Sequence, residues 1–136
     1  MIELTLEMAE RIALAARDKA KELGITITLS VVDEAGRLIL TQRGTGNGFL
    51  STEIAQAKAS ASAAFKRSTK ELFESREANT VFWNTVPTVV SQPVMLTTGG
   101  VPVSYNGKVI GGIGIGGGSA EQDHQCALAG VESIKQ

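Results

Sequence analysis

Residues 98–125, TGGVPVSYNGKVIGGIGIGGGSAEQDHQ, decide the fold. They read as a strand, a two-residue turn, a second strand, a glycine-rich bend and the start of a helix. Asn106-Gly107 is a strong hairpin signal, because a type I′ turn needs φ > 0 at both central residues. Simple pairing about that turn sets Tyr105 opposite Lys108, Val103 opposite Ile110 and Val101 opposite Gly112. Val109, Gly111, Ile113 and Ile115 then share the other face, so the ribbon is apolar on both sides and both sides need a cover. The glycines at 99, 100, 111, 112, 114, 116, 117 and 118 mark places where another backbone or a ligand comes close. Either a tightly packed helix or a bound molecule satisfies that pattern.

Ser119 and Gln122 form a capping box ahead of the last helix, expected over Ala120 to Ile134 with Cys126, Ala127, Val131 and Ile134 inward. Its first N–H groups lie beside the glycine bend and offer a place for a carboxylate or other anion. Gly112, Gly114 and Gly117 also match G-x-G-x-x-G. The dinucleotide fingerprint requires a further strand with an acid about 20 residues on, and the sequence stops at Gln136, so that match carries no weight.

Working outward, the length of 136 residues suits one domain spanning 1–136. A formal net charge of −1 and the lack of a Lys/Arg block argue against nucleic acid and membrane surfaces as partners. Cys126 is the single cysteine, which excludes an internal disulfide and a thiolate metal cluster. No leader peptide is legible and no apolar run nears the ~20 residues that span a bilayer, so a cytoplasmic location is expected.

Before the central hairpin, Thr5 caps a helix with apolar positions Leu6, Ala9, Ile12, Ala13, Ala16, Ala20 and Leu23, ended by Gly24. Ile25, Ile27, Leu29 and Val31 alternate with Thr26, Thr28 and Ser30 as a half-buried strand. Asp33 to Gly36 turns into a second strand from Arg37 to Arg43. Gly44 to Gly48 is expected to be a mobile loop. Ser51 is expected to cap a small-residue helix to about Arg67, and Ser68 with Glu71 starts a short helix over Thr69 to Glu74. From Ser75 to Pro93 the chain reads as irregular, and Phe82 and Trp83 point to contact with a neighbouring subunit. Val94 to Thr97 is expected as a short strand. The order predicts an α+β fold with one antiparallel sheet of about five strands and helices on its faces.

Several segments, in order, are similar to the GlcG/HbpS-like family, which takes in haem-binding HbpS proteins, GlcG proteins of glycolate operons and the C-terminal domain of PduO-type corrinoid adenosyltransferases. They are Ser30-Val-Val-Asp33 with Gly36, Gln42-Arg43, Ile54-Ala55 with Lys58-Ala59, Gly99-Gly100-Val-Pro-Val103, Gly107-Lys-Val-Ile-Gly111, and Ile113-Gly-Ile-Gly-Gly117 with Glu121-Gln-Asp123. The resemblance implies a profilin-like fold, assembly into homo-oligomers and, for some members, binding of haem or a related tetrapyrrole. It also implies a place in small-molecule catabolism. Where PduO-type domains carry a His after the second helix this chain has Lys70, and it has His124 where relatives frequently carry Glu or another polar residue.

The residues able to hold a cofactor or anionic ligand are Arg43, Lys58, Gly99, Gly100, Gly117, Ser119, Asp123 and His124. His124 is the only histidine and the sole metal-ligand candidate; a helix N-terminus disfavours its imidazolium. Without a C-x-x-C-H motif any haem would be non-covalent. Two functions follow. One is a binding protein for haem, a related tetrapyrrole or a small anionic metabolite. The other is a small hydrolase, lyase or isomerase of a short carboxylic acid, with Arg43 and Lys58 orienting the acid and Asp123 or His124 moving a proton. Cys126, set in an apolar helix, reads as a buried small hydrophobe.

Overall fold

The computed structural model describes residues 3–135. Helix α1 runs Leu6–Leu23, strands β1 and β2 run Thr28–Asp33 and Leu38–Gln42, and helices α2 and α3 run Ser51–Phe65 and Thr69–Ser75. A short helix α4, Thr80–Thr85, lies between two 3₁₀ turns, and β3 (Gly100–Tyr105), β4 (Lys108–Gly116) and α5 (Ala120–Glu132) complete the chain. The strands form one antiparallel sheet in the order β2-β1-β4-β3. Helices α1 and α5 pack together on one face and α2 covers the other.

The fold class is the α+β single-sheet arrangement expected from the sequence, with four strands in place of about five. The missing strand is Val94 to Thr97, which stays outside the sheet and only returns one hydrogen bond to α2, Met95 N–H to Ala57 O at 3.2 Å. The stretch from Ser75 to Pro93 is not irregular throughout. It winds into 3₁₀ turns at Arg76–Asn79 and Val86–Thr88 around α4.

The turn at Asn106 (φ 51°) and Gly107 (φ 77°) has the expected positive angles. Beyond it the register departs from simple pairing. Tyr105 faces Lys108 and Ser104 faces Val109, but Val103 then faces Gly111 and Val101 faces Ile113. A bulge leaves Ile110 as the extra residue of β4 and shifts every later pair by one, reversing the partners that alternation alone assigns.

That shift puts Ile113 and Ile115 into the core with Ile12, Leu29, Val31, Val103 and Cys126, beneath α1 and α5. It turns Gly112 and Gly114 toward α2. A Cβ on Gly114 would run into Ala55 O and lie 2.7 Å from the Ala59 amide nitrogen, and one on Gly112 would strike Ala59 O. The α2 backbone therefore rests almost directly on β4, which explains why α2 is built of Ala and Ser. On the opposite face Gly130 of α5 admits Ile12 of α1, whose carbonyl would stand 3.0 Å from an added Cβ.

β1 is buried on both faces rather than half-buried. Thr28 and Ser30 have no exposed surface and meet their partners internally. Ser30 Oγ and Thr41 Oγ1 are 2.9 Å apart, and Thr28 Oγ1 donates to Ser51 Oγ at 3.1 Å. Thr28 Oγ1 also accepts from Gly44 N–H and from Asn47 Nδ2, which ties the loop after β2 to β1. The expected mobile loop is thus anchored at both ends. Ser51 is the first residue of α2, spent on Thr28, and Leu50 occupies the N-cap without a side-chain bond. Leu6, counted in the inward stripe of α1, is 52% exposed, and Met8 is buried instead. No helix among the described residues is long and apolar enough to cross a membrane.

Candidate functional site

The glycine bend, α2 and the start of α5 meet around Lys58 and Asp123. Lys58 lies on the sheet side of α2, 5% exposed, and its ammonium donates to Ile115 O at 2.8 Å. Asp123 Oδ2 lies 3.7 Å from Lys58 Nζ, and Oδ1 accepts the Gly118 N–H at 2.9 Å. Gly99, at φ 131°, makes room for both: a Cβ there would stand 3.0 Å from Lys58 Nζ and 3.2 Å from Asp123 Cβ. Gly100 is held by Thr69, a fully buried residue whose Oγ1 accepts the Gly100 N–H at 2.8 Å. Burial lowers the Lys58 pKa against the pull of Asp123, and raises that of Asp123 against the Gly118 N–H and Lys58.

The N–H groups expected to receive an external anion are largely occupied by the chain itself. Gly118 binds Asp123, the Ser119 N–H donates to Gln122 Oε1, and the Gln122 N–H donates to Ser119 Oγ. The Asp123 carboxylate sits where a bound carboxylate would have gone. Gly117, at φ 114°, packs against the Thr26 carbonyl and the Asn47 side chain.

His124, next in sequence, belongs to a different surroundings. Its Nδ1 is buried without a hydrogen-bond partner, while the residue keeps part of its surface in solvent. Lys70 of α3 reaches across to pair with Glu121 of α5 at 3.5 Å. Burial and the Lys70 ammonium hold the His124 pKa below its usual value, opposed by Glu121, Glu71 and Glu74. The ring is therefore neutral at pH 7, a donor for a metal or a base for a proton. Cys126 is buried and its thiol is pushed up to about 11, by burial and by Asp123, so no thiolate forms at neutral pH.

Arg43 makes no hydrogen bond or ion pair with this cluster. It lines a separate cleft with Arg17 and Lys21 of α1. The structure thus gathers Lys58, Gly99, Gly100 and Asp123 in one closed unit, and keeps His124 and Arg43 apart from it. Thr28 and Thr69, which position the loops, were not singled out in the sequence; buried threonines among apolar neighbours were the available signal. The grouping of Lys70 and Glu121 beside His124 depends on where α3, packed on α2 and β3, comes to lie relative to α5, which spacing does not reveal.

A four-stranded antiparallel sheet clasped between an α1/α5 pair and a small-residue helix defines the class of protein. A model of the family described as haem degrading protein HbpS-like matches residues 4–132. The chain belongs to the HbpS-like family. A 15.0 kDa protein from the dhaT-dhaS intergenic region of Citrobacter freundii is 31% identical over 133 residues, 98% of this chain and 93% of that protein. The crystal structure of HbpS superposes with a TM-score of 0.88 at 31% identity, covering 100% of this chain and 93% of the other. That of a PduOC:heme complex gives a TM-score of 0.84 at 28% identity, over 98% of this chain and 96% of the other.

Proposed function

We propose that this chain is a small-ligand-binding protein that holds haem or a related tetrapyrrole non-covalently, with His124 as the protein ligand to the iron. The observation that supports it is the imidazole itself: neutral, just past the first turn of α5, with no hydrogen-bond partner for Nδ1. A buried polar atom without a partner is uncommon in a native fold and costs about 1–3 kcal/mol, so its retention calls for a purpose. The residues present fit haem in their donor chemistry. One neutral imidazole is available, and the Lys70 ammonium beside it would suit a propionate on exchanging its solvent-exposed partner Glu121; Glu71 and Glu74 are the other charges that act on the ring. Haem would supply an iron centre able to bind or activate a small molecule. The chain would supply the His124 imidazole as the nitrogen donor and the Lys70 cation, which the Lys70–Glu121 ion pair keeps beside α5.

The remainder of the proposal is a homo-oligomer in the cytoplasm, serving a catabolic pathway as an accessory protein. Exposed apolar side chains support self-association: Phe49 is 80% exposed, Val81 76% and Val89 79%. The alternative, an enzyme using Arg43 and Lys58 around one short acid, meets a geometric obstacle. Lys58 is shut inside with Asp123, and Arg43 faces another cleft.

Titration of the ligand-free protein with hemin tests the proposal. The expected result is a defined Soret band that saturates at a fixed stoichiometry. Absorbance that follows free hemin without saturation would overturn it.

A further inference from the structure

The cleft that carries Arg43 belongs neither to the Lys58 cluster nor to His124. It encloses about 510 Å³ between the C-terminal half of α1 and the ends of β1 and β2. Arg17 and Lys21, on successive turns of α1, line it together with Arg43 after β2, and Ala20, Ile25 and Ile27 supply its apolar lining. No Asp or Glu lines it. None of the ion pairs among the described residues uses Arg17, Lys21 or Arg43.

We infer that this cleft binds a small organic anion with two or more acidic groups, a di- or tricarboxylate or a phosphorylated metabolite. Like charges four residues apart on a helix repel, and here Arg17 and Lys21 share a cleft with a third cation, none of the three in an ion pair among the described residues. Lys21, in the last turn of α1, is partly offset by the helix dipole. The two guanidiniums remain, and paired oxygens of carboxylate or phosphate suit their forked donors. Arg43 is set in place beforehand. Gly44, which follows it, donates its N–H to Thr28 Oγ1 at 3.1 Å, and Asn47 Nδ2 donates to the same oxygen at 2.9 Å. A Cβ on Gly44 would lie 2.6 Å from Thr26 Cγ2, so the loop has one close-fitting path. The volume is that of a metabolite site, and three cations in a chain of net charge −1 make no track for a polymer.

The inference stands independently of haem. Citrate, pyrophosphate and acetate are titrated into the protein at constant ionic strength and followed by calorimetry. Saturable binding of citrate assigns the site to carboxylates, and saturable binding of pyrophosphate assigns it to phosphates. Acetate binds more weakly than either. The Arg17→Gln/Arg43→Gln double variant, altered only at exposed positions, binds the preferred anion at least about tenfold more weakly. Its hemin titration matches the parent, which separates this site from the His124 proposal. No saturable binding of citrate or pyrophosphate, or equal affinity in the double variant, would overturn the inference.

Discussion

Lys58 and Asp123 face each other at 3.7 Å with both side chains nearly out of water, and each has a single backbone group as its other partner. Removing one member strands the other charge in the interior, which costs about 3–5 kcal/mol. Lys58→Met and Asp123→Asn are each expected to lose that much stability in urea denaturation, and the double variant less than the sum of the two. His124 acts through protonation. Its folded pKa lies below the ordinary 6.5, so the unfolded chain binds the proton more readily in the interval between the two values. The contribution is complete above pH 6.5 and is lost as pH falls toward the folded value. In thermal melts over that interval, His124→Gln is expected to be less sensitive to acid than the parent. An unchanged slope would mean that the ring titrates normally. The singularity of His124 is legible in the sequence. The burial of Lys58 is not, because the Ala and Ser residues of α2 are spread all round the helix and leave its inward face unmarked.

Among the elements, α2 and β4 are the pair whose contact sets the rest. Gly114 meets α2 at the Ala55 carbonyl, whereas a Cβ on Gly116 would touch nothing within 4 Å. Gly114→Ala must therefore lift α2 from the sheet, at a cost of about 3 kcal/mol or more. Gly116→Ala is expected within about 1 kcal/mol of the parent, and chemical denaturation of both variants checks the contrast. The glycine spacing in β4 made close packing readable from the sequence, as did the Asn106-Gly107 turn and the capping box at Ser119. The bulge that leaves Ile110 without a cross-strand partner was hidden. Gly111 stands directly after Ile110 at the bulge, but it is one of several glycines along the strand, and both registers leave apolar side chains on both faces.

At the scale of the whole molecule, the sheet and its three covering helices follow from hydrophobic period and turn chemistry, and for that reason the fold class was legible. The cleft of Arg17, Lys21 and Arg43 was not, because α1 and the end of β2 come together only through the sheet. The exposed Phe49, Val81 and Val89 leave apolar surface that a single copy does not cover. Light scattering at micromolar concentration is expected to give a mass of two or more chains of 14.3 kDa; a monomer would contradict self-association. The central claim concerns one nitrogen ligand, and the measurement that tests it most directly is the hemin titration repeated on His124→Ala. The account predicts a saturating Soret band in the parent and its loss in the variant, with the variant still folded by circular dichroism. The same band at the same stoichiometry in His124→Ala would contradict it.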